Sequence, residues 1–254
     1  KVLTKEEYRY KSSKRMINMR ILAIESSAVT ASVAILTDDT LTAEYTINYK
    51  KTHSQTLLPM IDEICDMTDV KPDEFDVVAV STGPGSFTGL RIGVATGKGI
   101  ALATGIKMAA VPTLDAMAMN MYGTGKLICA VMDARRQHLY NNIFFFDENN
   151  RLCRCREQSL DSYDQLAAEL NGLNRDVIFV GDGINAAREY FDKYLTCKYE
   201  YAPAHMTTQR AGSVAMLAMQ MAAENRLVDA DDVKPDYLRP SQAEREFAQK
   251  KEPK

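Results

Sequence analysis

Residues 83–105 read GPGSFTGLRIGVATGKGIALATG, a stretch with the pattern of a helix although seven of its residues, 83, 85, 89, 93, 97, 99 and 105, are glycine. The run before it, FDVVAVSTG (75–83), has the pattern of a buried strand bounded by turn residues. Gly83-Pro84-Gly85 turns the chain, and Ser86 or Thr88 offers a hydroxyl to cap the helix that follows. Gly89, Gly93, Gly97 and Ala101 then recur every four residues and share one stripe. Each helical glycine costs roughly 1 kcal/mol relative to alanine. Three on one stripe imply a neighbour that must come close to the backbone. That neighbour is either the helix's own sheet or another subunit, and the two can use different faces.

The surrounding chain supplies the rest of an α/β fold. MRILAIESS (19–27) and ASVAILTDDTLTAEYTINY (31–49) read as three antiparallel strands with a turn at Asp38-Asp39. HSQTLLPMIDEICDMTDV (53–70) has helical spacing, with Leu57, Ile61 and Ile64 on one face and Leu58 and Cys65 beside it. KMAAVPTLDAMA (107–118) predicts a strand and a helix capped by Thr113. A second module follows. LICAVMDARRQHLYNNIFFFD (127–147) is a hairpin turning at Asp133-Ala134-Arg135, and DVIFVGDG (176–183) is a strand that ends in a glycine turn. Helical patterns occupy SYDQLAAEL (162–170), INAAREYFDKYL (184–195) and the methionine-rich AGSVAMLAMQMAAENRL (211–227). Each half is a strand meander followed by alternating strands and helices, which predicts two related α/β lobes.

The expected boundaries are a lobe over 19–112, a second over 113–210, and a helix at 211–227 packing between the lobes or back on them. A basic extension (1–18) and a solvated, flexible tail (241–254) flank them. Residues 1–18 hold six basic and two acidic side chains, a net of +4, which leaves −7 for the remainder of a chain that is −3 overall. An acidic body is a poor nucleic-acid binder by itself. Contact with RNA is therefore expected only through another protein. No apolar run reaches the ~18–20 residues of a membrane span, and the start lacks the apolar core of a signal peptide. Five scattered cysteines, with no histidine near the Cys153-Cys155 pair, fit reduced thiols and a cytoplasmic location.

Several chemistries are excluded by spacing. GPGSFTG has no lysine where a phosphate-binding G-x-x-x-x-G-K-[ST] loop needs one, and Thr88 breaks G-x-G-x-x-G. A glycine turn before a helix N-terminus still holds anions in a generic way. Nothing links His53, His138 and His205 into a hydrolytic triad, and Ser86 is explained by a cap. No second histidine lies within five residues after His53, and Arg135 and Arg136 disfavour a cation at His138, so no metal site is expected. Glu25, Ser26 and Ser27 end the first strand, where they either position magnesium or water or make a hairpin turn.

ILAIESS, THSQTLLPMI, STGPGSFTGLRIGVATGKGIALA, DARRQHLY, VGDG and KPDYLRP follow one another here in the order of the bacterial TsaB (YeaZ) family, which the chain resembles over residues 19–240. The resemblance implies the two-lobed actin/hexokinase/Hsp70-like fold. It also implies a part in forming N6-threonylcarbamoyladenosine at position 37 of tRNAs that read ANN codons. In that scheme the subunit is not catalytic. It pairs with the catalytic paralogue TsaD, supports the small ATPase TsaE, and forms a homodimer when alone. ATP or ADP and magnesium belong to the complex, not to the isolated chain. The implied partner face is made by helices 53–67 and 86–103, through His53, Leu57, Leu58, Ile61, Ile64, Gly89, Leu90, Gly93, Val94, Gly97 and Ala101. On this reading Gly93→Leu weakens the heterodimer and leaves the chain folded. Glu25, Ser26, Ser27, Gly83, Gly85, Ser86, Asp133, Arg135, Gly181 and Gly183 are the positions of a degenerate nucleotide site. Arg135 stands where ATP-binding members of this fold place the glycine of a D-x-G turn. His138 stands where the family often has Glu. The competing activities are a stand-alone ATPase or kinase using Asp133 or Glu25, and the zinc peptidase of the older M22 label, which lacks a second histidine here.

Overall fold

The structure, a computed structural model, describes residues 19–239. The expected basic extension and flexible tail lie outside those residues. β1 (Arg20–Glu25) pairs antiparallel with β2 (Ala31–Thr37), which turns into β3 (Thr40–Ile47). The turn residue Asp38 adopts φ 49°, a left-handed conformation that aspartate tolerates, and its carboxylate accepts from Met19 N at 2.9 Å. α1 (His53–Thr68) crosses to β4 (Val77–Gly83), and α2 (Phe87–Thr104) leads to β5 (Lys107–Pro112). The sheet order is β3-β2-β1-β4-β5, with β4 parallel to both β1 and β5.

α3 (Thr113–Met119) leads into the second lobe, made of β6 (Leu127–Asp133), β7 (His138–Phe146), β8 (Leu152–Arg154), β9 (Ser159–Ser162), α4 (Tyr163–Leu173), β10 (Val177–Val180), α5 (Gly183–Tyr194) and β11 (Tyr199–Tyr201). Its order is β11-β10-β6-β7-β8, with β9 also pairing β7. Putting β6, β7, β8, β10 and β11 in place of β1, β2, β3, β4 and β5 reproduces the order of the first sheet. The same topology occurs twice, as expected of two related α/β lobes.

The alternation of β1 explains the layers. Leu22 and Ile24 point to a core shared with Leu57, Ile61 and Val94 of α1 and α2, whereas Ile21 and Ala23 face Val214 and Ala218. The last two residues belong to α7 (Ala211–Ala223), which follows the one-turn α6 (Ala204–Thr207). α7 returns to the first lobe because its amino end is held there. Gly212 N donates to Glu44 Oε1 at 2.8 Å, Ala211 N to Ser32 Oγ at 3.0 Å, and Arg210 Nε to Glu44 Oε2 at 3.1 Å. α7 ends four residues short of the patterned stretch, and Asn225 beyond it is left-handed at φ 56°. Among the described residues no helix is long and apolar enough to cross a membrane.

Two local expectations change. Thr113 does not cap α3. The N-cap is Pro112, without a side-chain bond, and the Thr113 hydroxyl accepts instead from Gly83 N at 3.1 Å. The glycine stripe of α2 faces the chain's own sheet. A Cβ at Gly89 or Gly93 would lie closer than 3.0 Å to Ser26, and one at Gly97 equally close to Val80. The Ser26 hydroxyl uses this proximity to donate to Gly89 O at 2.9 Å.

Candidate functional site

A cleft of about 350 Å³ opens between the lobes. The first lobe contributes Ser27, Ala28, Val29, Gly85 and Ser86, and the second contributes Met132, Asp133, Ala134, Arg135, Tyr140 and Asp182. Of the ten predicted nucleotide-site positions, Ser27, Gly85, Ser86, Asp133 and Arg135 line it. Glu25, Ser26, Gly83, Gly181 and Gly183 are buried and do not. The lining residues missed were Ala28, Val29, Met132, Ala134, Tyr140 and Asp182; the last two reach the cleft because β7 and β10 flank β6 in the sheet.

Local bonds shape the first wall. Ser86 caps α2, its hydroxyl accepting from Gly89 N at 3.2 Å, while Ser86 N donates to Ser27 O at 2.6 Å. Glu25 is buried beneath the turn, and its Oε1 accepts from Ser27 N at 2.6 Å. Glu25 Oε2 and Ser27 Oγ have no partner among the described residues. Burial pushes the Glu25 carboxyl above its ordinary range, against the hydrogen bond from Ser27 N that lowers it, and the Asp182 charge adds to the rise. Burial raises Asp182 as well, although Gln209 Nε2 donates to its Oδ1 at 3.0 Å.

Opposite stands the β6–β7 turn. Arg135, Arg136 and Gln137 all adopt positive φ, at 66°, 55° and 58°. The Asp133 carboxylate accepts from Arg135 N at 2.8 Å and pairs with its guanidinium at 3.0 Å. His138 closes the turn by donating from Nδ1 to Arg136 O at 2.8 Å, which gives the histidine a local structural task.

These turns are a poor fit to the nucleotide phosphates that the fold class implies. Several of their amides are already used: Ser86 N by Ser27 O, Gly83 N by Thr113, Ala134 N by His138 O and Arg135 N by Asp133. Gly83, Gly85, Gly181 and Gly183 do admit close backbone approach, but of the chain itself. A Cβ at each would overlap Asp236, Ser27, Val131 and Leu139 respectively. The Arg135 guanidinium is moreover paired with the Asp133 carboxylate.

The predicted partner face needs a larger correction. Leu57, Ile61, Ile64, Gly89, Leu90, Gly93, Val94, Gly97 and Ala101 are all buried within the chain. His53 is buried too, its Nε2 donating to Ala28 O at 2.7 Å, so it anchors α1 to the cleft wall. Leu58 alone among the eleven is exposed, at 60 %, and Leu102 of α2 is exposed at 62 %. A groove of about 560 Å³ runs along α1 between the loop at Val70, Lys71 and Pro72 and Ile100 of α2; α1 lines it with Leu58, Pro59, Ile61 and Cys65 and with the acidic Asp62 and Asp66.

Known proteins share this sequence and architecture. The family model for TsaD, tRNA N6-adenosine threonylcarbamoyltransferase, matches residues 40–247. The tRNA threonylcarbamoyladenosine biosynthesis protein TsaB of Bacillus subtilis is 31% identical over 230 residues, covering 89% of this chain and 96% of that protein. The chain belongs to the TsaB family. The Escherichia coli TsaB protein is 29% identical over 87% of this chain and 95% of its own length. The YeaZ structure from Pseudomonas aeruginosa superposes with a TM-score of 0.74 at 23% identity, over 87% of this chain and all of that one. TsaB-family membership and the YeaZ fold thus agree with the doubled sheet topology.

Proposed function

We propose that this chain is a non-catalytic subunit in the formation of threonylcarbamoyladenosine on tRNA. It pairs through the outer face of α1 and α2 with a TsaD-like catalytic subunit, and the pair supports a TsaE-like ATPase. Alone, the chain uses the same face to form a homodimer. tRNA, nucleotide and magnesium are engaged by the assembled complex. The observation that carries this reading is the groove along α1, where the exposed Leu58 and the half-buried Ile100 of α2 offer apolar area. The cleft supports the non-catalytic part, because Ser86 N, Ala134 N, Arg135 N and the Arg135 guanidinium are already engaged by the chain's own groups.

The test is the molar mass in solution of this chain, alone and mixed with TsaD of the same organism, by light scattering. A one-to-one complex is expected, together with at least about a tenfold loss of affinity in Leu58→Arg without a change in melting temperature. Absence of a complex with an active TsaD, with or without nucleotide, refutes the partnership. Full affinity in Leu58→Arg refutes the assigned face.

A further inference from the structure

No described residue of the KPDYLRP stretch lines the cleft described above. Its described portion, residues 234–239, runs along the junction of the lobes and alternates its contacts between them. Asp236 N donates to Thr82 O of the first lobe at 2.7 Å, while Asp236 Oδ2 accepts from Gln158 Nε2 of the second at 2.8 Å. Tyr237 returns to the first lobe. Its ring stacks on Phe87 with centroids 4.4 Å apart, and its hydroxyl accepts from Arg91 Nε at 3.0 Å. The Arg91 guanidinium also lies 3.9 Å over the Phe87 ring. Arg239 then crosses again, Nη1 donating to Ala134 O at 3.0 Å. That carbonyl belongs to the cleft turn that carries Arg135.

The approach to this segment is itself anchored to the first lobe. Val228 and Met108 exchange backbone hydrogen bonds at 2.9 Å in both directions, and Lys98 Nζ donates to Asp231 O at 3.3 Å. Gly83, at φ 132°, leaves room for the Asp236 carbonyl that a side chain would displace. The segment is therefore seated at four points, two on each lobe, and through Arg239 it touches the cleft at Ala134.

We propose that residues 234–239 are a latch that holds the two lobes against each other and couples the amino end of α2 to the cleft turn at Ala134-Arg135. A two-lobed chain whose halves meet in a cleft has rotation about that junction as its softest motion. Contacts that alternate between the lobes oppose this rotation, whereas contacts with one lobe do not. The latch does not depend on which partner the α1–α2 face takes.

Native-state amide exchange on the full chain tests it, using Tyr237→Ala and Arg239→Ala. The Tyr237 side chain engages Phe87 and Arg91, both of α2, so a merely local role would speed exchange near α2 alone. The latch instead predicts exchange about tenfold faster at the Ala134 and His138 amides, across the cleft, with β4 and β10 unchanged. Reciprocally, Arg239→Ala is expected to speed exchange at Leu90 N, which bonds Ser86 O in the first lobe. Exchange within about twofold of wild type at these distant amides, in both variants, overturns the proposal. If Tyr237→Ala does not fold, Arg239→Ala decides by its distant readout, since that side chain gives up one carbonyl contact.

Discussion

Gly93 sits where α2 comes closest to the end of β1, and a single methyl group is enough to probe that contact. It would lie closer than 3.0 Å to Ser26 Oγ, with Ser26 Cβ at 3.3 Å and Ile24 Cγ2 at 3.8 Å. The hydroxyl must move, and it then loses its 2.9 Å hydrogen bond to Gly89 O. Overpacking in a tight core costs about 1–3 kcal/mol, and the lost buried hydrogen bond about 1 kcal/mol. Replacing glycine by alanine inside a helix returns about 1 kcal/mol. Gly93→Ala is therefore expected to be less stable by about 1–3 kcal/mol in urea denaturation. Ser26→Ala alone should cost about 1 kcal/mol. In the double variant the offending oxygen is gone and the helical gain remains, so stability should return to within about 1 kcal/mol of wild type. A Gly93→Ala protein as stable as wild type would show that the stripe is not packed on Ser26. So would a double variant whose losses simply add. Gly93→Leu, which the sequence pattern alone suggests would fold and lose only its partner, is expected instead to disrupt the first lobe.

The exposed side of α2 and the cleft give two further tests. Gly99 has nothing within 4 Å of the point where a methyl group would sit, so Gly99→Ala should raise stability by up to about 1 kcal/mol in the same denaturation assay. Glu25 binds its proton more tightly in the folded chain than its ordinary value of 4.5, so wild-type stability falls as pH rises through the window above that value. Glu25→Gln keeps an oxygen for Ser27 N and removes the charge. It should therefore exceed wild type at about pH 8 and lose that advantage toward about pH 4, as read by urea melts across the range.

Local chemistry was legible where it repeats with a short period. The alternation in MRILAIESS, the turn at Asp38-Asp39 and the GPGS turn before a helix each specify an element by themselves, since backbone preference and side-chain period act over a few residues. The likeness of the two halves was visible for the same reason, because each repeats a meander followed by alternating strands and helices. The turn at Asp133-Ala134-Arg135 could also be read directly, and the structure adds the Asp133 pair that holds Arg135 in place.

What periodicity could not supply was the identity of whatever covers a face. Spacing puts Gly89, Gly93 and Gly97 on one stripe, but whether a sheet or another protein lies against it depends on contacts with Ser26 and Val80, distant in sequence. Leu57 and Leu58 are neighbours in sequence and differ by one helical step of about 100°. That step decides that one fills the core and the other meets solvent. Asp182 and Tyr140 join Asp133 at the cleft only because sheet order sets β10 and β7 on either side of β6. The chain thus carried its elements and their duplication in its sequence. The burial of the stripe, the exposure of Leu58 and the bridge made by residues 234–239 were decided by long-range packing, which no local pattern encodes.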